Sequence, residues 1–266
     1  MPEIVTADVL FPSQAGPIAG YIARPSDSAR HPALVLLSGI GGVGPQYHVV
    51  AEQLAAEGIV GVILDWMMRE KDPPDPVVML DLDACATYLH GQSYVDPDQI
   101  ALGGYCRGGT LALLGLGQLP HFSAGTIFHG DPFYTPGVPK PYDMTPDKRP
   151  VEPYALAERI EAPLIILHGA SDPVVPPQQV YRFVTRLNEL GKRFELKLYS
   201  GTGHAFTLFG EANGRWWHPA NAEDAFREAV LFLRRVYGLP VGSVQGPLSP
   251  GTHDEQAAVS TPSGAH

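Results

Sequence analysis

The sequence predicts an α/β protein with a mostly parallel sheet that is covered by helices on both faces. Short runs of branched apolar residues recur along the 266-residue chain, and each has the length of a buried strand. Segments with the apolar periodicity of helices lie between these runs, and such alternation is typical of parallel sheets. The composition, with 44% apolar and 17% charged residues, is that of a globular protein with a sizeable core.

The predicted elements follow this alternation after an exceptional start. Residues 4–25 predict a strand, a turn and a second strand, so we expect an antiparallel edge there. Six further strands are predicted at residues 33–39, 59–66, 99–106, 124–130, 162–169 and 194–201. Helices are predicted at residues 47–58, 77–91, 108–119, 177–191 and 221–238. The helices at 47, 77, 177 and 221 are each followed by a glycine that we expect to be left-handed, namely Gly58, Gly91, Gly191 and Gly238.

Two segments break the alternation. Residues 131–153 are rich in proline and carry Phe133, Tyr134 and Tyr142, which favours a packed loop over a functional site. From residue 241 the chain becomes small and polar. We therefore expect one domain over residues 1–240 and a disordered tail over residues 241–266.

Composition also excludes several classes of partner. The formal net charge of −10 disfavours nucleic acid, because phosphate binding needs clustered Lys and Arg. No apolar run approaches the roughly 18 residues of a membrane span, and the first residues do not resemble a signal peptide. The two cysteines fit neither a disulfide framework nor a zinc pattern. We expect a cytoplasmic monomer or homodimer with free thiols, no metal and no cofactor.

One of these cysteines lies in a turn that suits a catalytic nucleophile. In "ALGGYCRGG", residues 101–109, Cys106 stands between a predicted strand and a predicted helix, with Gly104 and Gly108 two positions away on either side. This spacing is that of a nucleophile elbow, in which small neighbours let the side chain stand clear of the backbone. The positive end of the helix dipole favours a thiolate and an oxyanion. The backbone N–H of Arg107 is then one candidate oxyanion donor.

A nucleophile of this kind needs a base, and the base needs an orienting acid. Two later strands end in loops that carry Asp172, in "HGASDPVVP", and His204, in "GTGHAF". Because the carboxyl ends of parallel strands gather at one edge of a sheet, these side chains are expected to meet Cys106. Asp65 and Asp131 also follow strands and compete with Asp172 for the role of the acid.

The segments around Cys106, Asp172 and His204 resemble those of the dienelactone hydrolase family of α/β-hydrolases, over roughly residues 1–238. The resemblance implies the α/β-hydrolase fold, with Cys106 as nucleophile, His204 as general base and Asp172 as its partner. It also implies hydrolysis of a small ester or enol-lactone through an acyl-enzyme, without metal or cofactor. The second oxyanion donor would come from the loop after the third strand, at the N–H of Ile40.

Three positions depart from that family. Gly39 stands where members that hydrolyse dienelactone carry a glutamate, and Leu208 stands where they carry an arginine. Arg107 places a charge where an apolar residue is expected. A more hydrophobic, less anionic ester is therefore as well supported as a dienelactone, with Arg69 and Arg107 as possible partners of a substrate carboxylate.

The candidate substrate contacts are Gly39, Arg69, His129, Phe206 and Trp216, of which Trp216 could form a pocket wall against the proline-rich loop. His129 could equally be satisfied at a strand end, and Trp216 could merely fill a groove. Cys85 is expected in the core, because it shares a helical face with apolar residues. Two alternatives to a lactonase stay open: a general carboxylesterase or thioesterase, and a catalytically weak relative that binds a small molecule or senses oxidants through Cys106.

Overall fold

The computed structural model describes residues 3–134, 143–208 and 216–244. The strands within these ranges are Ile4–Phe11 (β1), Ile18–Pro25 (β2), His31–Leu37 (β3), Val60–Leu64 (β4), Val95–Tyr105 (β5), Ala124–Phe128 (β6), Leu164–Gly169 (β7) and Phe194–Tyr199 (β8). They form one sheet in the order β1-β2-β4-β3-β5-β6-β7-β8. All of the predicted strands are present, at nearly the predicted bounds.

The α-helices of the same ranges are Pro45–Ala56 (α1), Asp75–His90 (α2), Arg107–Gln118 (α3), Pro177–Glu189 (α4) and Pro219–Tyr237 (α5). A 3-10 helix at Pro153–Arg159 was not predicted. Proline occupies one of the first two positions of α1, α2, α4 and α5. Because proline lacks an N–H and has a helical φ, it suits a helix start. Three of these helices accordingly begin two residues before the predicted starts.

Strand direction places the carboxyl ends of six strands at one edge. β1 pairs antiparallel with β2, and β2 pairs antiparallel with β4, which confirms the predicted antiparallel start. From β4 to β8 every neighbouring pair is parallel. The chain runs from β3 outward to β4 and then returns to β5 on the other side of β3. This reversal is the point in a parallel sheet where ligands bind.

The sheet is buried on both faces, which explains its near-continuous apolar runs. Val35 and Leu37 of β3 face a core cluster that includes α2, α3 and α4. Leu34 and Leu36 face a second cluster that includes α1 and α5. The sheet edge that carries the carboxyl ends of the strands is therefore packed by helices on both faces.

The helix ends agree with prediction except at one glycine. Gly58, Gly191 and Gly238 have φ values of 79°, 68° and 65°. Gly91 was predicted to be left-handed, and that prediction is wrong, because its φ is −81°. The chain continues there in a right-handed turn, in which the N–H of Gly91 donates to Tyr88 O at 3.1 Å.

Some predicted features lie outside the described residues. These are most of the expected tail, from residue 245 onward, and residues 135–142 of the proline-rich loop, including Tyr142. Among the described residues, no helix is both long enough and apolar enough to cross a bilayer.

Candidate active site

Cys106 forms the predicted sharp turn between β5 and α3. Its φ is 53° and its ψ is −116°, a conformation that costs a non-glycine residue about 1–3 kcal/mol and persists only where the surroundings enforce it. The flanking glycines allow the close approach. A Cβ on Gly104 would lie 2.4 Å from the carbonyl carbon of Gly108, and a Cβ on Gly108 would lie 2.3 Å from Leu37 O. The turn leaves Cys106 partly exposed.

His204 and Asp172 meet in the turns that follow β8 and β7. The Nδ1 atom of His204 lies 2.7 Å from Asp172 Oδ2. The other carboxylate oxygen, Oδ1, accepts hydrogen bonds from the N–H groups of Val174 and Val175 at 2.8 and 2.9 Å. The carboxylate is thus fixed by its own loop and aimed at the imidazole. Asp131 is engaged elsewhere, since it accepts from the N–H of Phe133 at 3.0 Å.

The charge state of His204 is set by its neighbours. Burial acts to lower the pKa of His204, but the charge of Cys106 and the hydrogen bond to Asp172 outweigh it and raise that pKa to about 10. The Nε2 atom of His204 is buried and makes no hydrogen bond of good geometry to a described residue. The charge of Cys106 contributes to the raised pKa, and Nε2 is the ring nitrogen that does not contact Asp172.

Arg107 turns its side chain away from solvent into a buried ion cluster of Asp72, Asp75, Tyr134 and Arg149. Its guanidinium is paired with Asp75, lies 3.7 Å from Asp72 Oδ1 and donates to the Tyr134 hydroxyl at 2.9 Å. Arg149 pairs with Asp72 and lies 3.2 Å from Asp75 Oδ1. The cluster ties the start of α2 and the residues just before it to the start of α3, to Tyr134 and to the segment after residue 143.

Both predicted partners of a substrate carboxylate already contact other groups of the protein. Arg107 serves the ion cluster with a side chain that is 0% exposed. Arg69 contacts Asp81 Oδ2 at 2.5 Å and donates to Gly16 O at 2.9 Å. These contacts argue against the hypothesis that either side chain binds a substrate carboxylate.

The loop after β3 lies beside the Cys106 turn. Leu37 of β3 is in register with Gly104 of β5, so the two strand ends are adjacent. The N–H of Gly39 donates to the Tyr47 hydroxyl at 2.8 Å, so this amide is engaged within the protein. Ile40 follows it and is partly buried against the core.

The remaining candidate contacts separate into buried and accessible groups. His129 and Phe206 are fully buried, and their rings contact each other at 5.9 Å between centroids. Trp216 is partly exposed and stands perpendicular to the His204 ring at 6.3 Å. Leu208 is buried in the core, so the position of the family arginine is apolar here. Of His129, Phe206 and Trp216, only Trp216 is partly exposed beside His204.

The second cysteine and a buried histidine near Asp172 are structural. Cys85 is fully buried, and this burial raises the pKa of its thiol. The Nε2 atom of His168 lies 2.9 Å from Val175 O, which supports the loop of Asp172. No group of three potential metal-binding side chains occurs in the described ranges.

Sequence analysis missed Asp72, Asp75 and Arg149. These residues stand far from Arg107 in the chain, and no motif joins them. Asp72 has a φ of 54°. The one available signal was the charge of Arg107 directly after Cys106 in a tight turn, because a charge that is buried there requires acidic partners.

The strand order, the antiparallel start and the strained turn between β5 and α3 define an α/β-hydrolase fold. The sequence profile of the dienelactone hydrolase family matches residues 74–237. The chain belongs to the dienelactone hydrolase family, and it is a hydrolase of that type.

Similar proteins span most of the chain. The "Probable 2-oxo-3-(5-oxofuran-2-ylidene)propanoate lactonase" of Bradyrhizobium sp is 29% identical over 230 residues, which are 80% of this chain and 88% of that protein. The "Putative carboxymethylenebutenolidase" of Escherichia coli K12 is 25% identical over 88% of this chain and 89% of its own length. The crystal structure of a "Putative Dienelactone Hydrolase" from Klebsiella pneumoniae superposes with a TM-score of 0.77, at 21% identity, and covers 88% of this chain and 99% of that one.

Proposed function

We propose that this protein hydrolyses a carboxylic ester or lactone with Cys106 as nucleophile, His204 as general base and Asp172 as the residue that orients His204. The observation that carries the proposal is the 2.7 Å contact between His204 Nδ1 and Asp172 Oδ2, which leaves Nε2 for Cys106. The raised pKa of His204, to about 10, supports a ring that holds the proton taken from Cys106. Family membership gives the type of enzyme, and the contacts of His204 support this mechanism for it.

The reaction proceeds in two halves. His204 takes the Cys106 proton, Sγ attacks the carbonyl carbon, and a tetrahedral oxyanion forms. The N–H groups of Arg107 and Ile40 donate to that oxyanion. The imidazolium then protonates the departing alkoxide oxygen and leaves a thioester on Cys106. In the second half His204 deprotonates a water molecule, whose oxygen attacks the thioester carbonyl. The C–S bond then breaks, the carboxylic acid is released, and His204 returns the proton to Sγ.

We further propose that the substrate is neutral near the scissile bond. Arg69 and Arg107 already have carboxylate partners, and Leu208 is buried. The names of the Bradyrhizobium and Escherichia coli relatives denote lactones that carry a carboxylate, a propanoate in one and a carboxymethylene group in the other. The lactone ring fits the proposed chemistry, and the paired arginines favour an uncharged ester or lactone for this protein. A general carboxylesterase or thioesterase would use the same three side chains.

A panel of p-nitrophenyl esters and lactones tests the proposed chemistry. Cys106→Ala and His204→Ala should each abolish turnover, because the first removes the nucleophile and the second removes its base. Cys85→Ala is the matched control, since it removes the other thiol from a buried position and should retain turnover in the folded protein. A Cys106→Ala variant with wild-type turnover would overturn the proposal. No turnover by the wild type, with fast sulfenic acid formation at Cys106, would instead favour an oxidant sensor.

A further inference from the structure

His129 is a fully buried residue in an unfavourable backbone conformation next to the candidate site. It directly follows β6 and has a φ of 42°. A non-glycine residue in this region costs about 1–3 kcal/mol and is retained only where its contacts require it. The contacts of His129 therefore indicate what it is retained for.

Three hydrogen bonds hold His129, and each leads to a different part of the site. Its N–H donates to Leu167 O in β7 at 2.9 Å. Its Nδ1 atom accepts from the backbone N–H of Cys106 at 3.1 Å. Its Nε2 atom lies 2.9 Å from the hydroxyl of Thr207, three residues after His204. One side chain thus joins the nucleophile turn to the histidine turn.

The partners determine the protonation of the ring. The N–H of Cys106 can only donate, so Nδ1 must carry a lone pair, and Nε2 carries the proton that is donated to Thr207. Burial lowers the pKa of His129 well below its usual value, and the neighbouring rings of His204 and His168 lower it further. A neutral ring is therefore consistent with both the bonding and the electrostatics. A second proton on the ring would place an N–H at Nδ1, where it would face the backbone N–H of Cys106.

The ring also lies directly against the base. The His129 and His204 centroids are 4.9 Å apart, in an edge-to-face arrangement. Cys106 has a φ of 53° and needs external support, and its N–H is shared between His129 and Phe128 O, at 2.9 Å. The strained turn that presents the thiol and the turn that presents the imidazole are thus held by the same ring.

We propose that His129 is a positioning residue that sets the distance and orientation between Cys106 and His204 through its two ring nitrogens. It touches no substrate, because its side chain is fully buried. His129 was a candidate substrate contact from its place after a strand, and its burial does not fit that role. The catalytic consequence rests on the proposed function, whereas the effect on the thiol does not.

Three variants separate the two ring contacts. His129→Phe keeps an aromatic ring but loses both hydrogen bonds. Thr207→Val removes only the partner of Nε2 with an isosteric side chain. His129→Asn retains an oxygen acceptor near the position of Nδ1 and can rescue the bond to Cys106. Thermal unfolding first establishes the temperature range in which each variant is folded.

Two measurements follow on the folded proteins. The first is ester hydrolysis, in which His129→Phe should lower kcat by about 10²-fold with little change in KM, because a displacement of about 1 Å in a catalytic group has that effect. The second is the rate of Cys106 alkylation by iodoacetamide as a function of pH. We expect the alkylation profile of His129→Phe to shift, that of Thr207→Val to shift less, and that of His129→Asn to lie nearer the wild type.

A merely structural role predicts a different pattern. Folded His129→Phe and Thr207→Val proteins with the wild-type kcat and the wild-type alkylation profile would overturn the proposal. If the wild type hydrolyses no ester, the proposed function fails, but the alkylation profile still decides this inference. A shifted profile in His129→Phe would then support positioning, and an unchanged profile would refute it.

Discussion

The protonation of His204 is the residue-scale property on which the proposed chemistry depends. Burial alone would favour a neutral ring, yet Cys106 and Asp172 raise the pKa of His204 to about 10. The ring therefore stays protonated through neutral pH. The contribution of this proton to stability is complete below the ordinary histidine value of 6.5 and is lost as the pH rises through about 10.

Removing the thiol should reverse this balance. In Cys106→Ala the burial of His204 remains while the charge at position 106 is gone, so the pKa of His204 should fall below that of the wild type. An NMR titration of the ¹⁵N-labelled imidazole rings measures the shift. The Cys85→Ala protein is the control and should titrate like the wild type. An unchanged pKa for His204 in Cys106→Ala would mean that the thiol is not its electrostatic partner.

At the scale of elements, the packing of α3 against β3 controls the Cys106 turn. Gly108→Ala should destabilise the protein by about 1–3 kcal/mol, because the new Cβ would lie 2.3 Å from Leu37 O. The start of α3, with the N–H of Arg107, must then move away from β3, so kcat should fall as well. Urea denaturation and ester kinetics measure the two effects.

A glycine in open space provides the control for this substitution. Gly242→Ala adds the same methyl group where no atom lies within 4 Å, so stability and kcat should both stay close to the wild-type values. Equal stability and equal kcat for Gly108→Ala and Gly242→Ala would show that the turn tolerates displacement.

The buried ion cluster also stabilises the start of α3, beside the Cys106 turn. Arg149→Met leaves the carboxylates of Asp72 and Asp75 with fewer partners, and the loss of one member of a buried pair costs about 3–5 kcal/mol. Arg235→Met breaks an exposed pair with Glu195 and should cost less than about 1 kcal/mol. Urea denaturation of both variants tests this difference. Similar small losses would indicate that solvent reaches the cluster.

The sequence predicted the elements and the Cys106, His204 and Asp172 group because each depends on local signals. Apolar periodicity marked the strands, and flanking glycines marked the turn at Cys106. The ion cluster around Arg107 was not predictable in the same way, because it joins residues far apart in the chain through tertiary packing. The role of His129 also depends on partners in two other loops. Its position after a strand therefore fits a residue that contacts substrate as well as a buried residue that supports the site.

At the scale of the whole molecule, the formal net charge of −10 acts on every approaching substrate. A field of that sign disfavours anionic ligands over a distance that shrinks as salt is added, with a screening length of about 10 Å at about 0.1 M. The pairing of Arg69 with Asp81 and of Arg107 with Asp75 leaves these two arginines unable to compensate at the site. Global charge and local pairing therefore both favour a neutral substrate.

Salt dependence distinguishes this explanation from a cationic subsite. We expect p-nitrophenyl butyrate to have a higher kcat/KM than p-nitrophenyl hydrogen succinate, which has a similar length but carries a carboxylate. Raising the salt from about 0.02 M to about 0.5 M should increase kcat/KM for the succinate ester, because screening weakens the repulsion, and should leave the butyrate ester nearly unchanged. Arg69→Ala should affect both esters equally. If the succinate ester is instead the better substrate at low salt and loses that advantage as salt rises, a cationic group attracts the carboxylate and the neutral-substrate proposal is wrong.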